Sequence, residues 1–111
     1  ADIGTGSIFF RFNPTTNANW LCVTRAASTN TSTTSGTAGA SSSWRRLTIW
    51  RNPNAAEIKF YINGTLAATH TTNIPTGNTI PGVTVQTLNT TSKTLRVDHC
   101  KIIANVGVMV T

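Results

Sequence analysis

Apolar and polar residues alternate along this chain in short bursts separated by turn-forming residues. Residues 8–12 read Ile-Phe-Phe-Arg-Phe, so a two-residue period sets Ile8, Phe10 and Phe12 on one face and Phe9 and Arg11 on the other. Asn13-Pro14 ends that strand, and a second is expected over residues 19–25 around Trp20, Leu21, Cys22 and Val23. Residues 26–43 are almost entirely Ala, Ser, Thr, Asn and Gly, the composition of a flexible loop. Thr31 to Thr34 still suit a sheet surface, so one weak or edge strand is expected there, with Gly36 and Gly39 marking turns. Residues 44–51 form a strong strand, Leu47 and Ile49 pointing one way and Arg46, Thr48 and Trp50 the other. After a turn at Asn52-Pro53-Asn54, residues 57–62 place Ile58, Phe60 and Ile62 inward and Lys59 and Tyr61 outward. Asn63-Gly64 follows at once, a strong hairpin signal because both residues tolerate positive φ. Residues 65–70 are the return strand, with Leu66 and Ala68 expected inward.

Beyond a loop holding Pro75, Gly77 and Pro81, further strands are expected at 82–88 (Val83, Val85) and 94–103 (Leu95, Val97). A bulge near Asp98-His99 would return Cys100 and Ile102 to the core. Residues 104–111 form an apolar tail or one more strand. Seven or eight short strands with no significant helix predict an all-β, antiparallel β-sandwich or jelly roll, and 111 residues suffice for one domain, 1–111.

Composition sharpens this. The chain has 22 Thr, 11 Asn and 8 Ser, but charged residues are only 11%. That gives a polar, uncharged surface of high β-propensity and too few strong helix formers for long helices. No apolar run approaches the ~18 residues of a membrane-spanning helix, so no membrane role is expected.

The net charge of +6 arises from a shortage of acids: Asp2, Glu57 and Asp98 are the only carboxylates. The nine basic residues are dispersed, with only Arg45-Arg46 adjacent and Arg51 nearby, which argues against a nucleic-acid partner. Glycoside hydrolysis needs two carboxylates close together, and Glu57 and Asp98 lie far apart in sequence on separate strands. A Tyr/His pair for polysaccharide lysis exists only as Tyr61 and His70, flanking one hairpin. His70, His99, Asp98 and Asn63 lack metal-ligand spacing, and no cofactor is expected. Cys22 and Cys100 read as small buried hydrophobes, a bridge between them depending on whether their strands adjoin. The sequons at Asn30, Asn63 and Asn89 are the chance product of a Thr-rich chain.

Three stretches carry a family resemblance: residues 44–52 (Trp-Arg-Arg-Leu-Thr-Ile-Trp-Arg-Asn), residues 58–76 with the Phe-Tyr-Ile-Asn-Gly hairpin and its Leu-Ala-Ala-Thr-His return, and residues 93–102 with Leu-Arg-Val-Asp. In this order they resemble the C-terminal half of concanavalin A-like lectin/glucanase (laminin G-like) domains, as carried by tailed-phage tail fibres, tail spikes and decoration proteins. The resemblance extends over residues 8–103. It implies a core position for Trp44 and a non-enzymatic structural or interaction module of a virion. Such a module would form a homo-oligomer, a trimer for preference, alongside other virion proteins. A complete domain of that family has several strands ahead of the position of Phe9 to Phe12. The resemblance therefore implies the C-terminal portion of a longer domain, strands supplied by a neighbouring chain, or a compact variant. The Glu-x-Asp-x-x-Glu strand of the family's glucanases is absent.

The alternative function is recognition of host glycan, which uses an exposed aromatic face beside polar donors. Trp50, with Arg46 and Arg51 near it, and Trp20 at the opening of the second strand are the candidates for a carbohydrate or protein interface. Asn63 and Gly64 have a structural part, as the hairpin turn.

Overall fold

Six antiparallel strands and no helix make up the described part of the chain. The computed structural model describes residues 6–39 and 44–76, all within the unit Ile3–Gly77. The strands are β1 (Ser7–Asn13), β2 (Asn17–Ala26), β3 (Thr29–Ala38), β4 (Leu47–Arg51), β5 (Ile58–Ile62) and β6 (Thr65–His70). They form two three-stranded sheets in chain order, β1-β2-β3 and β4-β5-β6. The strands expected at 82–88 and 94–103, the tail at 104–111, and with them Asp98, His99 and Cys100, lie outside the described residues.

Both sheets contribute to one core. Cys22 of β2, Ile58 and Phe60 of β5 and Ala68 of β6 are buried together, with Ile8, Phe10, Ala67 and Ile74 packed against them. The alternation explains the choice. Ile8 and Phe10 pair with Thr24 and Cys22, so these four share one face of the first sheet. Ile58, Phe60 and Ile62 share one face of β5. Phe10 and Phe60 meet edge to face across the sheets, centroids 5.3 Å apart. That geometry adds about 0.5–1.5 kcal/mol to the burial of the rings. Cys22 is a free thiol, and burial pushes its pKa up to about 11.

The hairpin at Asn63-Gly64 forms as expected. Asn63 and Gly64 have φ of 53° and 82°, both left-handed, and Ile62 pairs with Thr65 across the two-residue turn. The Asn63 N–H donates to the Arg46 carbonyl (2.8 Å), and Asn63 Oδ1 accepts from the Arg46 N–H (2.9 Å), prolonging the β4–β5 ladder by one residue. At the other end of β4, Asn52 Oδ1 accepts from the Asn54 N–H and the Asn52 N–H donates to the Glu57 carbonyl, closing the turn into β5.

Several expectations need correction. The edge strand expected around Thr31–Thr34 is present and longer than expected: Thr29–Ala38 form β3, an edge strand among the described residues, so Gly36 lies inside a strand rather than at a turn. Asn19 pairs with Ala38 but Leu21 with Thr34, so two extra residues of β3 bulge opposite Trp20. Buried Ser35 holds the bulge: its hydroxyl donates to the Thr37 carbonyl and accepts from the Thr37 N–H, and the Ser35 carbonyl accepts from Asn19 Nδ2. Gly39 follows β3 because the Phe12 ring occupies the space where a Cβ would stand. Leu66 is not inward. Tyr61 pairs with Leu66 but Phe60 with Ala68, so Ala67 is an extra residue, and the side chains before and after it swap faces. Trp44, implied to be core, is 64% exposed and precedes β4. Leu47 and Ile49 pair with the buried Ile62 and Phe60, yet remain 36% and 40% exposed.

Candidate functional site

Two features of this unit carry chemistry beyond packing. The first is the outer face of the second sheet, opposite the core. Trp50 of β4 pairs with Lys59 of β5, which pairs with Thr69 of β6. One row along, Thr48 pairs with Tyr61 and Tyr61 with Leu66. Since Ile58, Phe60 and Ile62 occupy the buried face of β5, both rows point away from it. The ammonium of Lys59 sits 5.5 Å from the centre of the Trp50 ring, within cation–π range. Trp50 keeps 41% of its surface exposed and Leu66 keeps 50%.

The four interface candidates do not converge. Arg51 pairs with buried Ile58, on the side of β4 away from Trp50, and its Nη2 donates to the Pro75 carbonyl (2.6 Å). Arg46 sits at the Asn63-Gly64 turn, held by its backbone. Trp20 belongs to the first sheet, where its ring packs against Phe10 at 6.4 Å and Phe12 at 5.7 Å. The Trp20 indole N–H is buried without a hydrogen-bond partner, which suits a structural ring better than a ligand-facing one. Lys59 is the residue that sequence reasoning passed over. Its signal was present: Trp50 and Lys59 are both outward by alternation and flank the Asn52–Asn54 turn, which sets them opposite each other.

The second feature is His70, buried near the end of β6. Its Nδ1 lies 3.0 Å from the Thr24 hydroxyl of β2, and its Nε2 lies 2.8 Å from the Thr33 hydroxyl of β3. Thr24 Oγ1 has a single proton and donates it to the Thr72 carbonyl (3.0 Å), so it accepts from His70 Nδ1–H. Nε2 is then the acceptor, and Thr33 donates to it. The imidazole is thus fixed as the neutral Nδ1–H form, and burial lowers its pKa further from the ordinary 6.5. Phe60 packs edge-on against it at 5.1 Å. Thr31, Thr72 and Asn73 continue the polar cluster: the Thr31 and Thr72 hydroxyls are 2.7 Å apart, and Asn73 Nδ2 donates to Thr31.

This geometry bears on catalysis. Tyr61 is on the outer face and His70 on the buried face, three register positions apart, so they do not form a catalytic pair. Glu57 Oε1 accepts from Asn52 Nδ2 within the β4–β5 turn. Among the described residues no three His, Cys, Asp or Glu side chains are placed to hold a metal ion.

In comparison with known families, the model described as SO2946-like, C-terminal domain matches residues 2–102. No curated protein and no solved structure matches the chain.

Proposed function

The chain belongs to the SO2946-like, C-terminal domain family, and we propose that within it this domain is a non-enzymatic structural and interaction module of a bacteriophage particle. In this reading the two sheets are parts of a β-sandwich of seven to eight strands. The module works by self-association into a homo-oligomer, with a trimer the favoured state, and by contact with other virion proteins. The virion setting rests on the resemblance of residues 44–52, 58–76 and 93–102 to concanavalin A-like domains of phage particles.

The observation that carries self-association is the inner side of β4. Leu47 and Ile49 are exposed although their register partners are buried, and Trp44 just ahead of them is more exposed still. Among the described residues β4 pairs on one side only. A strand with an unpaired edge and exposed apolar side chains templates association with another copy. The test is native mass of the whole chain across a concentration series. A trimer or other closed oligomer is expected, dissociating in Ile49→Lys with the strand spectrum intact. A monomer at every concentration would overturn the reading.

One observation favours a second function, recognition of host glycan. Trp50 presents a half-exposed indole on an outer sheet face that core packing does not use. Binding of soluble oligosaccharides that is lost in Trp50→Ala would support it.

A further inference from the structure

We propose that the outer face of the second sheet binds an acidic glycan, with Lys59 taking the carboxylate or sulfate and Trp50 stacking on the adjoining sugar ring. The proposal rests on the glycan-recognition reading and names its ligand class and residues.

Charge is the first argument. The chain carries nine basic and three acidic residues, and of the acids only Glu57 lies in the described part, engaged with Asn52 in a turn. The two rows of the face, Trp50–Lys59–Thr69 and Thr48–Tyr61–Leu66, contain one cation and no anion. A ligand with negative charge answers that imbalance among the described residues, and a neutral sugar brings Lys59 no charge partner.

Geometry is the second argument. Side chains directly opposite on neighbouring strands stand ~4.8 Å apart, so a row across three strands spans ~10 Å, the footprint of a short saccharide. Lys59 lies against the Trp50 ring, so charge and stacking surface adjoin, as acid and ring face adjoin in a uronic or sulfated sugar. Thr69, Thr48 and Tyr61 line the same face with hydroxyls, each able to donate and accept with sugar hydroxyls. Nucleic acid fits less well. Strand binding uses several stacking rings along a groove of many cations, and the two rows of this face hold one exposed indole and one ammonium, with Arg46 one row further along.

The experiment is titration calorimetry of the whole chain with oligogalacturonate, its neutral methyl ester, a sulfated oligosaccharide and a single-stranded oligothymidylate. Binding of a charged saccharide is expected, weakening with salt, with the methyl ester bound about tenfold or more weakly. Lys59→Gln should weaken the charged ligand by a similar factor while leaving the methyl ester unchanged, and Trp50→Ala should weaken both. Preference for the galacturonate or for the sulfated saccharide would assign the anion as carboxylate or sulfate. Equal binding of ester and acid would overturn the acidic-glycan assignment and leave glycan recognition standing. Absence of binding to any saccharide would overturn both. Tighter binding of the oligothymidylate than of every saccharide would overturn the proposal in favour of a nucleic-acid surface.

Discussion

His70 on β6 donates from Nδ1 to the hydroxyl of Thr24 on β2, 3.0 Å away, joining the second sheet to the first through a buried hydrogen bond. With Thr33 bonded to the other nitrogen, the ring is a polar strut between strands that otherwise meet through apolar side chains. Protonation at Nε2 would turn Thr33 from donor to acceptor and leave a charge buried between the sheets. Among the described residues, the ring's neighbours Thr24, Thr33 and Phe60 carry no charge that would stabilise an imidazolium.

That arrangement makes stability depend on pH. Burial lowers the folded-state pKa of His70 below 6.5. As pH falls below 6.5 the unfolded chain takes up a proton that the folded chain refuses, so unfolding becomes easier. The loss continues until the folded pKa is reached and then levels off. Urea midpoints should therefore be higher at pH 8 than at pH 5. In His70→Gln, that slope should shrink to whatever the rest of the chain contributes. An unchanged slope would place the titration elsewhere.

The same cluster explains why β3 was hard to read from the sequence. Thr31 and Thr33 take the inward positions of the strand, pairing with Thr24 and Cys22, and they satisfy His70, Thr72 and Asn73 through hydroxyls. An inward face built of threonine leaves no apolar period, so a ten-residue strand has the composition of a loop. β1, β5 and the Asn63-Gly64 turn were legible because their inward residues are apolar and their turn residues special. Leu66 was misplaced because one extra residue, Ala67, inverts the alternation, and single-residue bulges leave no pattern of their own. On the outer face Trp50 was legible from parity, but pairing it with Lys59 needed the register.

Cys22 offers a chemical test of the core. Its thiol is fully buried, with a pKa of about 11, so at pH 8 little thiolate forms and none of it faces solvent. Iodoacetamide at pH 8 should leave Cys22 unmodified in the folded chain and alkylate it fully in urea, as read by peptide mapping. Rapid modification under native conditions would mean that the two sheets separate readily.

Asn63 combines two contributions that substitution can separate. Its side chain accepts from the Arg46 N–H, and its backbone holds a φ of 53°. Asn63→Gly keeps the conformation and removes the hydrogen bond, with an expected loss of about 0.5–1.5 kcal/mol. Asn63→Ala also incurs the left-handed strain, a further ~1–2 kcal/mol. Denaturation curves of the two variants should fall in that order. If they coincide, the backbone conformation is not what selects asparagine.

The β2–β3 turn presents the opposite case. Ala26 pairs with Thr29, so Ala27 and Ser28 are the two central residues of a tight hairpin, with φ of 49° and 64°. Neither residue type favours that region, unlike Asn63-Gly64, where the same geometry has its preferred residues. This mismatch also hid the hairpin from sequence reading. The double substitution Ala27→Asn with Ser28→Gly should relieve strain at both positions and raise the unfolding free energy by about 1–2 kcal/mol. The neighbouring Arg25–Asn30 hydrogen bond, 2.8 Å across the same hairpin, gives the turn no need of the Ala or Ser side chains. Ala27→Gly alone should recover part of the gain, since glycine relieves the Cβ contact but adds entropy to the unfolded chain. A double variant no more stable than the parent would show that the strands, not the turn, set the conformation of Ala27 and Ser28 at negligible strain.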